Sequence, residues 1–490
     1  MSSVTLNSEN LKKLIEPHFF NDLSDQSYKL ETIEACKLLT HNRFDLSFKL
    51  LFLKMIDKDD NFSKDIYIEH IKALSLGGFK EPGSPKKNSI EDYLKAFENI
   101  FYDIKINGFN GTSVIPLSKN GYIANGAHRV ASAIILSKEV DCVNIEVDDH
   151  NYNYNFFHKR NVPIGIMDAA AMAFIKYATN VFIAIIWPSA FGKDEQINKI
   201  IKNVVYEKQV KLNSNGAHNL LSQIYYGEDW IGSVEDNFKG SQGKLVECFK
   251  ASNSVRFIAF QSNNIEEVIE IKEEIRSIFN IGKHSIHITD NQIETLRISR
   301  IAFNENSVHF LNYAKPNKYL STHKKIKNFK FFLIKNNIKN EDVVLDSSII
   351  LSAYGLREAR DTDFFCSNNE NIKYKFDLIN NHDEALGLYR LEKMDIIYNQ
   401  CHYFYFNDLK FISFVKLYQM KLNRNEKKDQ NDTRQMMALL ENNLVKEFYA
   451  KLLQAIFYQK IKSRFRIMKL LRILGLYNFL KKMYNFWFKR

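Results

Sequence analysis

Residues 341–366 read EDVVLDSSIILSAYGLREARDTDFFC, and the order of features within them decides how the chain is read. The apolar run 343–345 predicts a short strand, and Asp346-Ser347-Ser348 predicts a tight polar turn after it. Residues 349–354 carry apolar side chains at helical spacing and stop at Gly355, a residue type favoured just past a helix end. A second strand is predicted over 361–365, flanked by Arg357 and Arg360. Residues two apart in a strand point to one side, so Asp361 and Asp363 present two carboxylates to one point. Two such oxygen ligands suit Mg²⁺ (or Mn²⁺): Mg²⁺ keeps several waters and completes its shell from substrate phosphates. An Asp-x-Asp triplet by itself is most often an exposed strand end. The turn, the helix and the basic residues around it are what give this one meaning.

That order of parts resembles the nucleotidyltransferase superfamily (the DNA polymerase β-like fold), whose signature is a Gly-Ser turn, a helix, and Asp-x-Asp on a strand. Tyr354-Gly-Leu-Arg357 ahead of the triplet is similar to the phosphocholine-transferase (LicD-like) branch and to minimal bacterial members. The resemblance covers roughly a quarter of the chain. It implies that Ser347 and Ser348 form a phosphate-gripping turn and that Asp361 and Asp363 are catalytic and hold the metal. It also implies a third carboxylate from a later strand, Asp395 in Lys393-Met-Asp-Ile-Ile-Tyr398 or, in reserve, Asp377. Ser347 stands where the superfamily has its turn glycine. Residues 421–432 then read KLNRNEKKDQND, following Phe411, Phe414, Leu417 and Met420. Members of the superfamily often carry a Lys/Arg and Lys-Asp-x-x-Asp helix behind the active site. Lys421, Arg424 and Lys428 are accordingly expected to contact phosphates or brace the carboxylates.

A second anion-binding pattern lies in the N-terminal half, where residues 114–133 read VIPLSKNGYIANGAHRVASA. A strand over 122–124 runs into Asn125-Gly126-Ala127-His128-Arg129, after which a helix begins. Small residues let backbone N–H groups approach an anion, and the helix dipole favours negative charge there. Arg129 adds a planar charged fork. The pattern resembles the ParB/sulfiredoxin-like fold, which implies phosphate or nucleotide binding by Gly126, His128 and Arg129. Sulfiredoxins carry a reactive cysteine in this turn; Ala127 takes its place, which argues against sulfinic-acid reduction. The alternative is a strand–helix turn in which His128 and Arg129 make local hydrogen bonds.

Residues 165–315 read as an α/β unit. Strands are predicted at 255–260, 285–288 and 307–311, with helices at 265–279 and after 289–294, implying parallel pairing with right-handed crossovers. Asp290 sits where a strand ends and a helix begins, the place where α/β sheets bind ligands. Thr289 with Glu294 reads more simply as a helix cap than as part of a metal site with His284 and His287. The most apolar stretch, 169–187, carries Lys176 and Asn180 and is followed by Pro188, so it predicts a buried helix and then a strand.

Composition sets the outer bounds. The 490 residues are too many for one core and suggest several domains. Five scattered cysteines without a CxxC pair disfavour both a disulfide framework and zinc. The net charge is +11, yet residues 460–490 hold ten Lys/Arg and no Asp or Glu, leaving about +1 (11 − 10) for the rest. A near-neutral body argues against a nucleic-acid-binding surface spread over the folded domains. In the tail, Leu476, Phe479, Leu480, Met483, Tyr484 and Trp487 follow helical spacing among lysines, after a break at Gly475. A basic helix with an aromatic apolar face suits an anionic membrane surface. Such tails are familiar in bacterial enzymes that build surface polysaccharides on lipid carriers.

Taken together, these features predict an α/β and α+β multidomain protein. The expected domains are N-terminal helices (1–84), a ParB/sulfiredoxin-like α+β domain (85–160), a Rossmann-like α/β domain (161–320), a nucleotidyltransferase-fold domain (321–455) and basic amphipathic C-terminal helices (456–490). The expected activity is Mg²⁺-dependent transfer of a nucleotidyl or substituted phosphoryl group in bacterial cell-surface polysaccharide biosynthesis (lipopolysaccharide O-antigen or capsule). The donor would be a nucleotide or a nucleotide- or phospho-sugar, and the acceptor a glycan or lipid-linked glycan. The N-terminus shows no basic and apolar leader pattern, so the expected place is the cytoplasmic face of the membrane. A glycosyltransferase using a phosphorylated sugar donor is the second enzyme reading. A nucleic-acid- or partner-binding protein with an inactive nucleotidyltransferase fold is the third.

Overall fold

A computed structural model describes residues 5–58, 61–80, 87–109, 113–250, 254–441 and 444–477. Its mixed α/β chain divides into two units: Met1–Asp383 with Leu391–Ser413, and Glu384–Arg390 with Phe414–Arg490.

The larger unit carries three small sheets. The first joins β1 (Thr5–Leu6), β2 (Tyr28–Glu34), β3 (Ile115–Leu117) and β4 (Glu139–Asn144) in the order β1-β2-β4-β3. The N-terminal 84 residues are therefore not a separate helical region. Tyr28-Lys-Leu-Glu-Thr-Ile-Glu alternates across a strand, and β2 pairs antiparallel with β4, Thr32 opposite Asp141. Helix Asp45–Lys54 follows and is buried except at Leu51 and Lys54, which are half-buried, with Phe44 ahead of it stacking on Phe174 and Tyr206. One hydrophobic core runs from Ala35 through Val130, Phe174 and Val255 to Leu311, across all three expected domains of this half. Burial of eight of the ten residues of Asp45–Lys54 needs neighbours on most sides, which this shared core supplies. Its buried charges are matched internally: Arg43 makes two bonds to Asp45 at 2.9 and 3.0 Å, and Lys49 adds a third at 2.9 Å.

The second sheet is β5 (Val181–Ile186), β6 (Val204–Val210), β7 (Val255–Gln261) and β8 (Ile286–Ile288), in the order β6-β7-β5-β8. All its pairings are antiparallel, which corrects the Rossmann-like expectation. β7 and β8 do run in the same direction, as the crossover helix Ile265–Phe279 between them requires, but β5 lies between them and opposes both. β5 is apolar throughout because its two faces fill two cores: Val181, Ile183 and Ile185 on one side, and Phe182, Ala184 and Ile186 on the other. The expected strand at 307–311 is helix Glu305–Tyr313 instead. Asn304 decides this locally by accepting a hydrogen bond from the Ser307 amide at 2.8 Å, an N-cap that outweighs the short apolar alternation.

The third sheet is β9 (Val343–Asp346), β10 (Thr362–Cys366), β11 (Ile379–Asn381), β12 (Tyr403–Phe406) and β13 (Leu409–Ile412), in the order β11-β10-β9-β13-β12. β9–β10 and β12–β13 are antiparallel; β10–β11 and β9–β13 are parallel. Asn407 and Asp408 both take positive φ (49° and 60°), the two-residue turn that suits a twisted hairpin.

The smaller unit contains helices Phe414–Arg424, Lys427–Leu440 and Leu444–Ile473. The expected 321–455 domain is thus divided after Ser413, because the sheet ends at Ile412 and the following helices pack with one another. The last helix begins at Leu444, not near 456, and ends just before Gly475 (φ 70°). The tail residues Phe479, Leu480, Met483, Tyr484 and Trp487 lie outside the described residues. Among the described residues no helix is long and apolar enough to cross a membrane.

Candidate active site

Pairing of β9 with β10 assembles the site. Asp363 lies opposite Asp346 in the register, so the acid that ends the first strand stands beside the Asp361–Asp363 pair. Asp361 and Asp363 are half-buried while Thr362 between them is buried, as alternation along an extended segment requires. Asp346 is fully buried and held by two bonds: the Ser347 amide donates to one carboxylate oxygen at 2.5 Å, and His382 Nδ1 lies 2.7 Å from the other. His382 follows β11 and stacks on Phe365 at 6.1 Å. Asn380 donates to Asp363 Oδ1 at 3.3 Å, and Ser348 Oγ to Asp361 Oδ1 at 3.2 Å from the start of helix Ser348–Ala353.

The electrostatics follow from this crowding. Burial, then the charges of Asp361 and Asp346, push the Asp363 carboxyl above the usual carboxylate range; His382 and Asn380 pull the other way. Among the described residues neither Asp361 nor Asp363 is ion-paired to a lysine or arginine. Ser347 has φ 64° and ψ −129°, a backbone that favours glycine and costs a serine about 1–3 kcal/mol. Ser347 therefore takes a backbone of the kind a turn glycine would adopt. Arg357 is half-buried and bonds the Glu358 carbonyl at 3.3 Å, while Arg360 is exposed beside Asp361.

Asp346 stands where the sequence placed a polar turn, and it is the acid set opposite Asp363. Asp395 lies in the first turn of helix Lys393–Tyr398, not on a strand, because Ile396 and Ile397 are buried together on one side of a helical turn. Asp377 lies in the turn ahead of β11. The acids acting on Asp363 are Asp361 and Asp346.

In the smaller unit, Lys421 is buried between Asp429 (3.0 Å) and Asp432 (2.9 Å), and Arg424 makes two 2.8 Å bonds to Asp429. Burial alone would raise Asp429, but Arg424 and Lys421 outweigh it and hold it at about 2. Lys421 and Arg424 brace these two aspartates. Lys428 is exposed and pairs with Glu426 at 3.1 Å.

The expected strand over 122–124 is only an isolated bridge from Ile123 to Leu117, while Gly126 at φ 90° caps helix Ala127–Ile135 as expected. Its side chains are committed elsewhere. Arg129 pairs with Glu16 at 2.6 Å and donates to the Val114 carbonyl at 3.3 Å. His128 Nε2 lies 2.9 Å from the Tyr67 hydroxyl with its ring 4.4 Å from Phe97, and burial pushes the imidazole well below its ordinary range. This is the local-bonding alternative. Asp290 is exposed and 3.4 Å from Lys272. The cap of helix Gln292–Ala302 is Asn291, one position beyond Asp290 and two beyond Thr289, and His287 pairs with Glu294 at 3.0 Å.

The donors at the strand ends are hard oxygens: two half-exposed carboxylates, with a hydroxyl and an amide beside them. Such a set fits a cation that takes part of its shell from water and substrate, as Mg²⁺ does. It does not fit a closed protein cage, and among the described residues no three or more His, Cys, Asp or Glu converge as one would require. Asp346, His382 and Asn380 are the site residues that sequence reading missed. The only sequence signal for Asp346 is its position at the end of an apolar run, and Asn380 and His382 sit in and just after the short Asn-rich strand β11, which shows no periodicity. Compared with known proteins, the chain matches no family model, no curated protein and no solved structure.

Proposed function

We propose that this protein is a divalent-cation-dependent transferase that moves a nucleotidyl or substituted phosphoryl group, with Asp361 and Asp363 as metal ligands. The observation that carries this reading is the acid-rich strand end: burial, then the charges of Asp361 and Asp346, push Asp363 up, and among the described residues no lysine or arginine pairs with the half-buried two. Like charges so placed cost stability unless a cation neutralises them. A bound Mg²⁺ would supply Lewis-acid stabilisation of charge developing on a phosphoryl oxygen.

The chain's own residues divide the remaining work. Asp346, fixed by the Ser347 amide and His382, positions the turn and sets the field at Asp363. Ser348 orients Asp361, and Asn380 orients Asp363. Arg360 is exposed beside the pair and can meet a substrate phosphate. The tail's ten cations and aromatic residues suit a lipid-borne glycan acceptor at an anionic membrane surface. The testing experiment supplies Mg²⁺, nucleoside triphosphates and nucleotide- and phospho-sugars to the full chain and follows release of pyrophosphate or nucleotide. Metal-dependent turnover that disappears in Asp361→Asn and in Asp363→Asn is expected. Turnover equal to wild type in either variant would overturn the reading.

A further inference from the structure

A second cleft lies in the larger unit, of about 790 Å³, a volume that suits a ligand of nucleotide size. Its walls are helix Gln292–Ala302, helix Leu320–Lys335, the loop after helix Ser214–Ile224, and the β12–β13 hairpin. It is remote from the carboxylates within the third sheet. β13 runs parallel to β9 with Phe411 beside Leu345, so the Asn407–Asp408 turn sits at the start of β9 while Asp346 ends it. Three strand residues separate those ends by about 10 Å.

Two helices each turn a pair of cations into this cleft, one helical turn apart: Arg297 and Arg300, and Lys324 and Lys327. Among the described residues none of these four pairs with a carboxylate; Lys330 is the one lining cation that does, with Asp408 at 3.8 Å. Arg297 donates to the Ile224 carbonyl at 2.9 Å, but its buried Nε has no hydrogen-bond partner. Buried donors without partners are uncommon, and a ligand oxygen would satisfy this one. Arg300 lies 5.4 Å over the Tyr405 ring. Tyr226, which also lines the cleft and is 55% exposed, offers a second aromatic face, packed edge-on against Phe238. Cations in two rows without carboxylate partners, beside exposed Tyr226 and half-buried Tyr405, match a diphosphate joined to a flat heterocycle.

We infer that this cleft is a binding site for a nucleoside diphosphate group, with Arg297, Arg300, Lys324 and Lys327 on the phosphates and Tyr226 or Tyr405 against the base. The inference stands independently of the carboxylate site. The test is calorimetric titration of the full-length protein with UDP, with ADP and with inorganic pyrophosphate, in chelator so that no divalent cation contributes. Saturable binding of a nucleoside diphosphate is expected. It should weaken at least tenfold in Lys324→Glu/Lys327→Glu, whose exposed positions leave the fold intact, and be unchanged in Asp361→Asn/Asp363→Asn. Three results would overturn it: no saturable binding of either nucleotide, binding that survives the lysine reversals, or pyrophosphate binding as tightly as both nucleotides.

Discussion

Two turns in the larger unit each start a helix from a residue of positive φ, and they differ in charge. At Gly126 φ is 90° and ψ 21°; at Ser347 φ is 64° and ψ −129°. Beside the first turn, Arg129 already has Glu16 and His128 already has Tyr67. Beside the second, the charges of Asp361 and Asp346 act on Asp363, and among the described residues neither Asp361 nor Asp363 pairs with a lysine or arginine. The geometry of a turn thus says little about whether it is a site. What separates the two is whether the charges are already satisfied: satisfied charges hold the fold, and crowded like charges await a ligand.

The largest expected effect tests that contrast on catalysis. Asp363→Asn is expected to lower metal-dependent transfer by about 10³-fold or more, the scale on which a charge-stabilising group acts. Arg129→Met should leave kcat within about threefold, because its partner is structural. Steady-state kinetics on both variants decide it, and a collapse of kcat in Arg129→Met would reverse the assignment of roles.

The next effect is on stability. An alanine at 126 would put its Cβ 2.8 Å from Ile115 Cδ1 and 2.9 Å from Arg129 Nη2, in a left-handed backbone as well. Gly126→Ala should therefore cost about 2 kcal/mol or more in chemical denaturation. Ser347→Gly should do the opposite and stabilise by about 1 kcal/mol, because it relieves the strain at φ 64°. Equal signs for the two would show that the turns are not alike.

The smallest effect is pH-dependent. A carboxyl whose folded value is raised binds its proton more tightly in the folded chain, so ionising it costs stability as pH rises through that value. Asp363→Asn removes the cost. Its Tm should exceed that of wild type at pH 8, and the difference should vanish as pH falls toward about 4, the unfolded carboxylate value. A variant less stable at every pH would mean that Asp363 is held by bonds rather than strained by charge.

Much of this site was legible in the sequence, and the reason is locality. An apolar triplet, a helical run ending at Gly355 and an alternating Asp-Thr-Asp-Phe-Phe each describe their own few residues, and each appears where expected. Asp346 was hidden because only strand pairing brings it opposite Asp363, and periodicity does not specify pairing. His382 was hidden because it arrives 36 residues later through an irregular segment. The middle sheet failed for the same cause: β7 and β8 were recognised, but nothing in either strand shows that β5 would insert between them. Lys421 and Arg424 were expected on phosphates or the site carboxylates, and the acids they pair with are instead Asp429 and Asp432, a few residues away.

The central claim is that the strand-end acids hold a divalent cation. Calorimetric titration of Mn²⁺ and Mg²⁺ into wild type and into Asp361→Asn/Asp363→Asn, in the presence of a nucleoside triphosphate and corrected for the nucleotide's own metal binding, tests it directly. The account predicts one protein-dependent site in wild type that is lost in the double variant; equal binding in both would contradict it.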